Sequence, residues 1–422
     1  MSKFLLLIYK ILSVIFLPIV IIIVILRIFQ NKEINIRIKE RFAFSSEKRP
    51  KGKIIWINAS SIGEYLATIS LIKKIRKIKP KTKILLTTST KTSALLAQKI
   101  IGKNIFHQFT PQDNPLVIKK FLNYWKPSLV LWMESEFWPI ILDETKKYGV
   151  KTILLNGRMS DKSFKNWSYF KFFFKEVISN FSLILTMSKF DQKNFKKLGA
   201  KNVNFIGNLK FCNELIFFNK KVEEKIQKII KNRPVWLAAS THANEERFAA
   251  QIHLKLKKSK KLKNLLTIIV PRNIKRDKKI KNEIKKYTSS VDFFSSKKNI
   301  KKKEIIIDNS IGQLELWYKK IKTVFLGKSF PPIGGQNPIE PAKYGCSIVS
   351  GEMSNFKEIQ NEMVNHKSLF VAKNFMEFYS FIENSLNKKK YITKMQLNAK
   401  KYVESKSKIL DSTISKIKKY LV

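Results

Sequence analysis

Carboxylates, cations and glycines recur in this chain where an apolar run gives way to polar sequence, and those residues have the types and spacing to do chemistry. The first group is Asn58-Ala-Ser-Ser-Ile-Gly-Glu64. Gly63 permits close backbone approach, and Glu64 falls where a helix would make its first turn, a position whose dipole favours an ionised carboxylate. A carboxylate so placed can act as a general base toward a hydroxyl. The spacing from Ser61 to Glu64 equally suits a capping box. The second group is Trp132-Met-Glu-Ser-Glu-Phe-Trp138-Pro139, in which Glu134 and Glu136 end an almost wholly apolar run. These acids are either a functional pair or ordinary charge at the start of a helix that Pro139 opens. Asn156-Gly-Arg158 and Gly207-Asn-Leu-Lys210 each set a strong cation after a glycine. That pairing can hold a phosphate or carboxylate, or can simply be surface charge.

The second half repeats the theme. Ser240-Thr-His242 leads into Ala-Asn-Glu-Glu246, a set of hydroxyls, amides and a histidine suited to an anion, or an ordinary helix cap. Pro271-Arg272 ends the next apolar run. Gly327-Lys-Ser-Phe-Pro-Pro-Ile then reaches Gly334-Gly335, Gln336 and Asn337-Pro338-Ile339-Glu340. This reads as a Gly-rich loop feeding a Pro-started helix, with amides turned toward a phosphate and Glu340 one turn in, placed to accept from ribose hydroxyls. The alternative is a tight turn.

The elements that must position these residues are short β-rich runs alternating with amphipathic helical patterns. Strands are expected over 53–58, 84–89, 128–133, 152–156, 182–187 and 203–207, and again over 235–240, 265–270, 304–307, 323–327, 346–350 and 368–371. A helical stretch over 211–233 separates the sets, and the tail from about 388 reads as helix. Alternation of this kind implies right-handed βαβ units and parallel sheets. The economical architecture is two doubly wound halves facing a cleft, with ligands at the carboxyl ends of the strands, where the singled-out residues fall.

With 422 residues the chain exceeds what one core usually supports, so two domains are expected. Its 83 Lys and Arg outweigh 31 Asp and Glu, giving a net charge of +52. Nucleic acid, anionic lipid or acidic substrates would suit that balance, as would a general bias toward Lys, Asn and Ile. The cations are dispersed and no zinc-finger or RRM signature occurs, so no nucleic-acid partner is expected. Cys212 and Cys346 stand far apart and read as reduced thiols. The G-x-G-x-x-G, Walker, H-E-x-x-H and G-x-S-x-G signatures are absent, as is any D-x-D pair, so no metal or other cofactor is expected.

Residues 4–29 are apolar except for Lys10 and Arg27, which suggests an N-terminal membrane-anchor helix in which Lys10 snorkels to the headgroups. A core helix is the alternative. Arg27, Lys32, Arg37, Lys39 and Arg41 come after the apolar run that ends at Leu26 and would hold the rest on the cytoplasmic side.

Taken in order, these motifs resemble the Kdo transferases, the 3-deoxy-D-manno-oct-2-ulosonic acid transferases of lipid A assembly. The resemblance begins at Glu40-Arg41-Phe42, includes Ser60-Ser-Ile-Gly-Glu64, Met133-Glu134-Ser135-Glu136, Asn156-Gly-Arg158-Met-Ser160 and Gly207-Asn-Leu-Lys210-Phe211, and runs on to Asn337-Pro-Ile-Glu340. It implies a GT-B fold of two Rossmann-like domains behind a membrane anchor: residues 1–29 as anchor, 30–212 for the acceptor, and 213–422 for the nucleotide sugar, with a helical tail. It implies an inverting glycosyltransferase in lipopolysaccharide biosynthesis, with CMP-Kdo as donor, a lipid A precursor (lipid IVA) as acceptor, and anionic lipids around it at the bacterial inner membrane. By matching position Glu64 would be the proton acceptor, and Glu134 and Lys210 would stabilise the transition state. Pro271 and Arg272, Ile311-Gly312-Gln313, and Asn337 to Glu340 would contact CMP; Arg158, Ser240, His242, Gly334 and Gly335 are further candidates. Gln313 departs from the acidic residue expected there. Two other readings stay open: a GT-B lipid glycosyltransferase using a UDP-sugar, and a basic nucleic-acid-associated membrane protein.

Overall fold

The computed structural model describes residues 2–421 except 101, 103, 214–218, 297–299, 311, 331–333 and 388. The chain divides into two compact units, 1–215 with 407–422, and 216–406.

The first unit is built on a seven-stranded sheet in the order β3-β2-β1-β4-β5-β6-β7. Its strands are β1 (Ile54–Asn58), β2 (Lys83–Thr88), β3 (Ile105–Phe109), β4 (Leu129–Met133), β5 (Lys151–Gly157), β6 (Phe181–Thr186) and β7 (Val203–Phe205). Every neighbouring pair runs parallel. Strands as apolar as Ile-Ile-Trp-Ile-Asn and Leu-Val-Leu-Trp-Met are buried at every residue, as a sheet covered on both faces requires. Trp56, Phe121 and Trp132 interlock at this core, with Trp56 4.7 Å from Phe121 and 5.5 Å from Trp132. The strand order reverses between β1 and β4, which makes that gap the ligand crevice of a doubly wound sheet.

The second unit has another seven-stranded parallel sheet, β10-β11-β9-β8-β12-β13-β14. Its strands are β8 (Val235–Thr241), β9 (Leu266–Pro271), β10 (Val291–Phe293), β11 (Ile305–Ile307), β12 (Thr323–Leu326), β13 (Ser347–Ser350) and β14 (Leu369–Val371). Here the order reverses between β8 and β12.

Two strands escaped the sequence reading, and both are sheet edges. β3 is broken in pattern by His107 and Gln108, which are buried against Thr88 (3.0 Å) and Trp125 (2.9 Å). β10 is three residues long.

The N-terminal segment corrects the expectation of one continuous anchor helix. It folds as two helices, Ser2–Ile15 and Leu17–Phe29, bent by 57°. Pro18 explains the break, because a proline in the first turn of the second helix removes a donor that a continuous helix would need. Among the described residues no single helix is long and apolar enough to cross a membrane, although the bent pair has the length and composition. Lys10 does not extend toward solvent; its ammonium pairs with Asp143 and Glu144. The Asn114 side chain also donates to the Ser13 carbonyl at 2.9 Å, so the first helix is strapped to the first unit.

The tail needs a second correction. Helix Lys389–Ser405 belongs to the second unit, but Ser407–Val422 returns to the first, where Ile409, Ile414 and Ile417 are buried. The expected second half, 213–422, therefore does not run unbroken to its end.

Candidate active site

Helix Ile62–Ile78 begins directly after β1, and Ser61 caps it by accepting from the Glu64 amide. The Glu64 carboxylate is only 6% exposed. It accepts from the Ser60 amide at 2.8 Å and the Ser61 hydroxyl at 2.9 Å. The cap expected from the Ser61 to Glu64 spacing is therefore formed, with the return bond made to the Ser60 amide. Burial, and next the nearby Glu134 charge, push the Glu64 pKa up to about 7 against the opposing hydrogen bonds. A carboxylate held there is half ionised near neutrality.

Across the switch point, Glu134 follows β4 with φ of 58°, a conformation uncommon for a residue with a long side chain. Its carboxylate meets the Lys210 ammonium at 2.5 Å. Asn156 organises both partners. It sits at a register shift between β5 and β6 with φ of 55°. Its side-chain nitrogen donates to Glu134 at 3.3 Å, and its oxygen accepts from the Leu209 amide at 2.9 Å. Asn208 then caps the short Leu209–Cys212 turn by accepting from the Lys210 amide. Gly63 lies under Lys210, whose Cε would be 3.9 Å from any added Cβ. The fold thereby brings Glu64, Glu134 and Lys210, far apart in the sequence, to one switch point. Arg158 is tied to this region through its carbonyl, which accepts from the Ser135 hydroxyl at 2.8 Å.

In the second unit a different cluster forms at the β8/β12 switch point. Ser240 has φ of 54° at a register shift with β9. The His242 ring meets the Gln336 amide at 3.1 Å. Burial, then the charges of Lys328, Arg272 and Arg276, hold the His242 pKa below its usual range. The charges of three cations therefore reach this histidine. The Arg272 amide donates to the Thr241 carbonyl at 2.9 Å and its side chain is exposed, whereas Pro271 is buried.

Sequence reasoning missed Glu245, which nothing in the pattern separates from Glu246. Its buried carboxylate accepts from the amides of His242 (2.8 Å), Lys328 (2.7 Å), Ser329 (3.0 Å) and Phe330 (3.2 Å). This corrects the expectation for the loop after β12, because those three loop amides serve an internal carboxylate. Gly327 is required there: a Cβ would lie 2.6 Å from the Ser240 carbonyl oxygen. Gly334 and Gly335 are buried, and Gly335 turns with φ of 76° against Met353.

The expected Pro-started helix is also shorter than anticipated. It spans only Ile339–Lys343, with Pro338 at the N-cap and Glu340 in the first turn rather than one turn in. Asn337 accepts from the Ile339 amide (3.1 Å) and donates to Glu340 (3.2 Å). On the loop after β11, Ile311 lies outside the described residues. Gly312 is exposed with φ of 80°, and the Gln313 side-chain oxygen is buried with no hydrogen-bond partner among the described residues.

A family profile described as 3-deoxy-D-manno-octulosonic-acid transferase (kdotransferase) matches residues 36–213. The 3-deoxy-D-manno-octulosonic acid transferase of Rickettsia bellii is 33% identical over 416 residues, covering 98% of this chain and 99% of that protein. Among solved structures, UDP-GlcNAc 2-epimerase from Neisseria meningitidis matches with a TM-score of 0.61 at 12% identity, covering 86% of this chain and 100% of the other. A glycosyltransferase from Rickettsia africae gives 0.59 at 14% identity, over 88% and 99%. These structural likenesses establish the fold, two Rossmann-like units of GT-B type. Near-complete alignment at one-third identity establishes more than fold: the chain belongs to the 3-deoxy-D-manno-octulosonic acid transferase family and is a glycosyltransferase.

Proposed function

We propose that this enzyme transfers Kdo from CMP-Kdo to the disaccharide of a lipid A precursor during lipopolysaccharide assembly, with inversion, at the cytoplasmic face of a bacterial inner membrane. The observation that carries the reading is the convergence of Glu64, Glu134 and Lys210 at the first sheet's switch point.

In this reading Glu64 removes the proton from the acceptor hydroxyl as that oxygen attacks the anomeric carbon. The Lys210 ammonium, held by Glu134, stabilises negative charge on the reacting groups. The leaving group is CMP, and its phosphate takes up the bond's electron pair. Arg272 and Lys328, beside His242, supply positive charge suited to that phosphate. This assigns the donor's charge to side chains, since three of the loop amides are engaged by Glu245. Asn337 and Glu340 are proposed to meet the ribose, and Gln313 offers an unpaired oxygen to the cytosine amine.

Membrane attachment is assigned to the bent helix pair, where Phe4, Leu7, Ile15, Ile22, Leu26 and Phe29 are exposed. Thermal unfolding with nucleotides tests the donor assignment. CMP should raise the Tm where UDP does not; protection by UDP alone would reassign the donor to a UDP-sugar.

A further inference from the structure

Helix Glu245–Lys257, which follows β8, opens with two adjacent acids, Glu245 and Glu246, that are only 1% and 0% exposed. Neither has a part in the chemistry above. Burying a carboxylate is nevertheless costly unless its oxygens are satisfied.

Those oxygens are divided among the loops that leave three strands. One Glu245 oxygen accepts from the amides of His242 after β8 and Lys328 after β12, at 2.8 and 2.7 Å. The other accepts from Ser329 and Phe330, at 3.0 and 3.2 Å. Glu246 reaches the third loop: it accepts from the Thr241 hydroxyl and from Arg276 after β9, both at 3.2 Å. The loops pinned in this way carry Lys328 and Arg272, whose charges reach His242.

Lys328 is held at every backbone group. Its φ of 58° lies in the left-handed region, its amide donates to Glu245, and its carbonyl accepts from the Gly335 amide. Its side chain passes over Gly334, where an added Cβ would lie 2.8 Å from Cε. A lysine does not keep that backbone conformation unaided, so the Glu245 bonds matter to where its ammonium points. Burial raises the Glu245 pKa to about 6 against its amide bonds, which leaves it mostly ionised at neutral pH. Only the ionised form meets all four amides, because it offers acceptors on both oxygens and no donor. A glutamine would turn its NH2 group toward two amides whichever way it sat.

We infer that Glu245 is a positioning residue of the donor site: it bridges the loops after β8 and β12 and holds Lys328 beside His242, set in advance for the donor's phosphate, a role that rests on the transfer reading above. Titration calorimetry with CMP and with cytidine, on the full-length, detergent-solubilised enzyme, separates positioning from general support of the fold. Glu245→Gln should weaken CMP about tenfold, the worth of one misplaced charge contact, and leave cytidine unchanged. In a Lys328→Met background the same change should cost nothing further, because Glu245 acts through Lys328. Unchanged CMP affinity in a folded Glu245→Gln variant would overturn the inference. So would equal losses for CMP and cytidine, or losses that add fully to those of Lys328→Met. Should Glu245→Gln fail to fold, hydrogen exchange in the wild type decides. The Lys328, Ser329 and Phe330 amides should be protected without nucleotide, and rapid exchange there would overturn the brace. A wild type that binds UDP and not CMP would overturn the transfer reading instead, and the same comparison with UDP and uridine would then test Glu245.

Discussion

At the residue scale the account turns on Glu64, a buried carboxylate whose proton affinity is set by burial and by Glu134. Glu64→Gln should leave the fold intact and lower turnover by about 10²–10⁴-fold, the usual worth of general-base catalysis. In wild type, activity should rise with pH through about 7, where Glu64 ionises. Glu134→Gln removes a neighbouring negative charge, so Glu64 should ionise more easily and the limb should move to lower pH in whatever activity survives; the pH–rate profile reads this directly. The stability sign follows from linkage. A carboxyl whose pKa is raised on folding contributes stability that is full below its unfolded value of 4.5 and is lost as pH climbs through about 7. Glu64→Gln should therefore match or exceed wild-type Tm at pH 8. The carboxylates and Lys210 were legible in the sequence because each follows a strand. Asn156 was legible only as part of a Gly-Arg motif; its role as the link between Glu134 and the Lys210 turn depends on a strand irregularity that periodicity does not reveal. Glu245 left no signal, because three of its four amide partners lie 83 to 85 residues on.

At the element scale, central strands announced themselves through continuous apolar runs, while edge strands β3 and β10 mixed polar residues that neighbours satisfy. Pro18 lies inside a long apolar run whose composition alone suggests one continuous helix, and it breaks that run in two. Lys10 was read as a snorkelling cation because its acidic partners lie 133 and 134 residues away. The tail misled for a similar reason, since helical pattern says nothing about which unit a helix joins. That return has a consequence for the site. Ile409 approaches Gly207 so closely that a Cβ there would lie 2.7 Å from its Cδ1, and Gly207 precedes the turn carrying Lys210. Deleting residues 407–422 should strip packing from that turn, lower the Tm and reduce turnover, while CMP affinity in the second unit stays near wild type. Calorimetry and steady-state kinetics on the truncated chain check this, and unchanged turnover would detach the tail from the site.

For the molecule as a whole, the two units carry different chemistries. Carboxylates and one paired lysine mark the first switch point; cations around a histidine mark the second. Glu340→Ala should weaken CMP binding by about 1–3 kcal/mol, the cost of removing a partner from a buried polar group, and leave vesicle association unchanged. Removing residues 1–29 should do the reverse; titration calorimetry and vesicle co-sedimentation on both variants read the division. The bond-forming step should also proceed in chelator, since the proposed charge stabilisation comes from side chains. The most direct test of the central claim is to incubate the purified full-length enzyme with CMP-Kdo and a lipid A precursor and to weigh the lipid product. The account predicts a lipid heavier by one or more Kdo residues, absent with Glu64→Gln and absent when a UDP-sugar replaces CMP-Kdo. Unmodified lipid with CMP-Kdo, or a sugar added from the UDP donor instead, would contradict it.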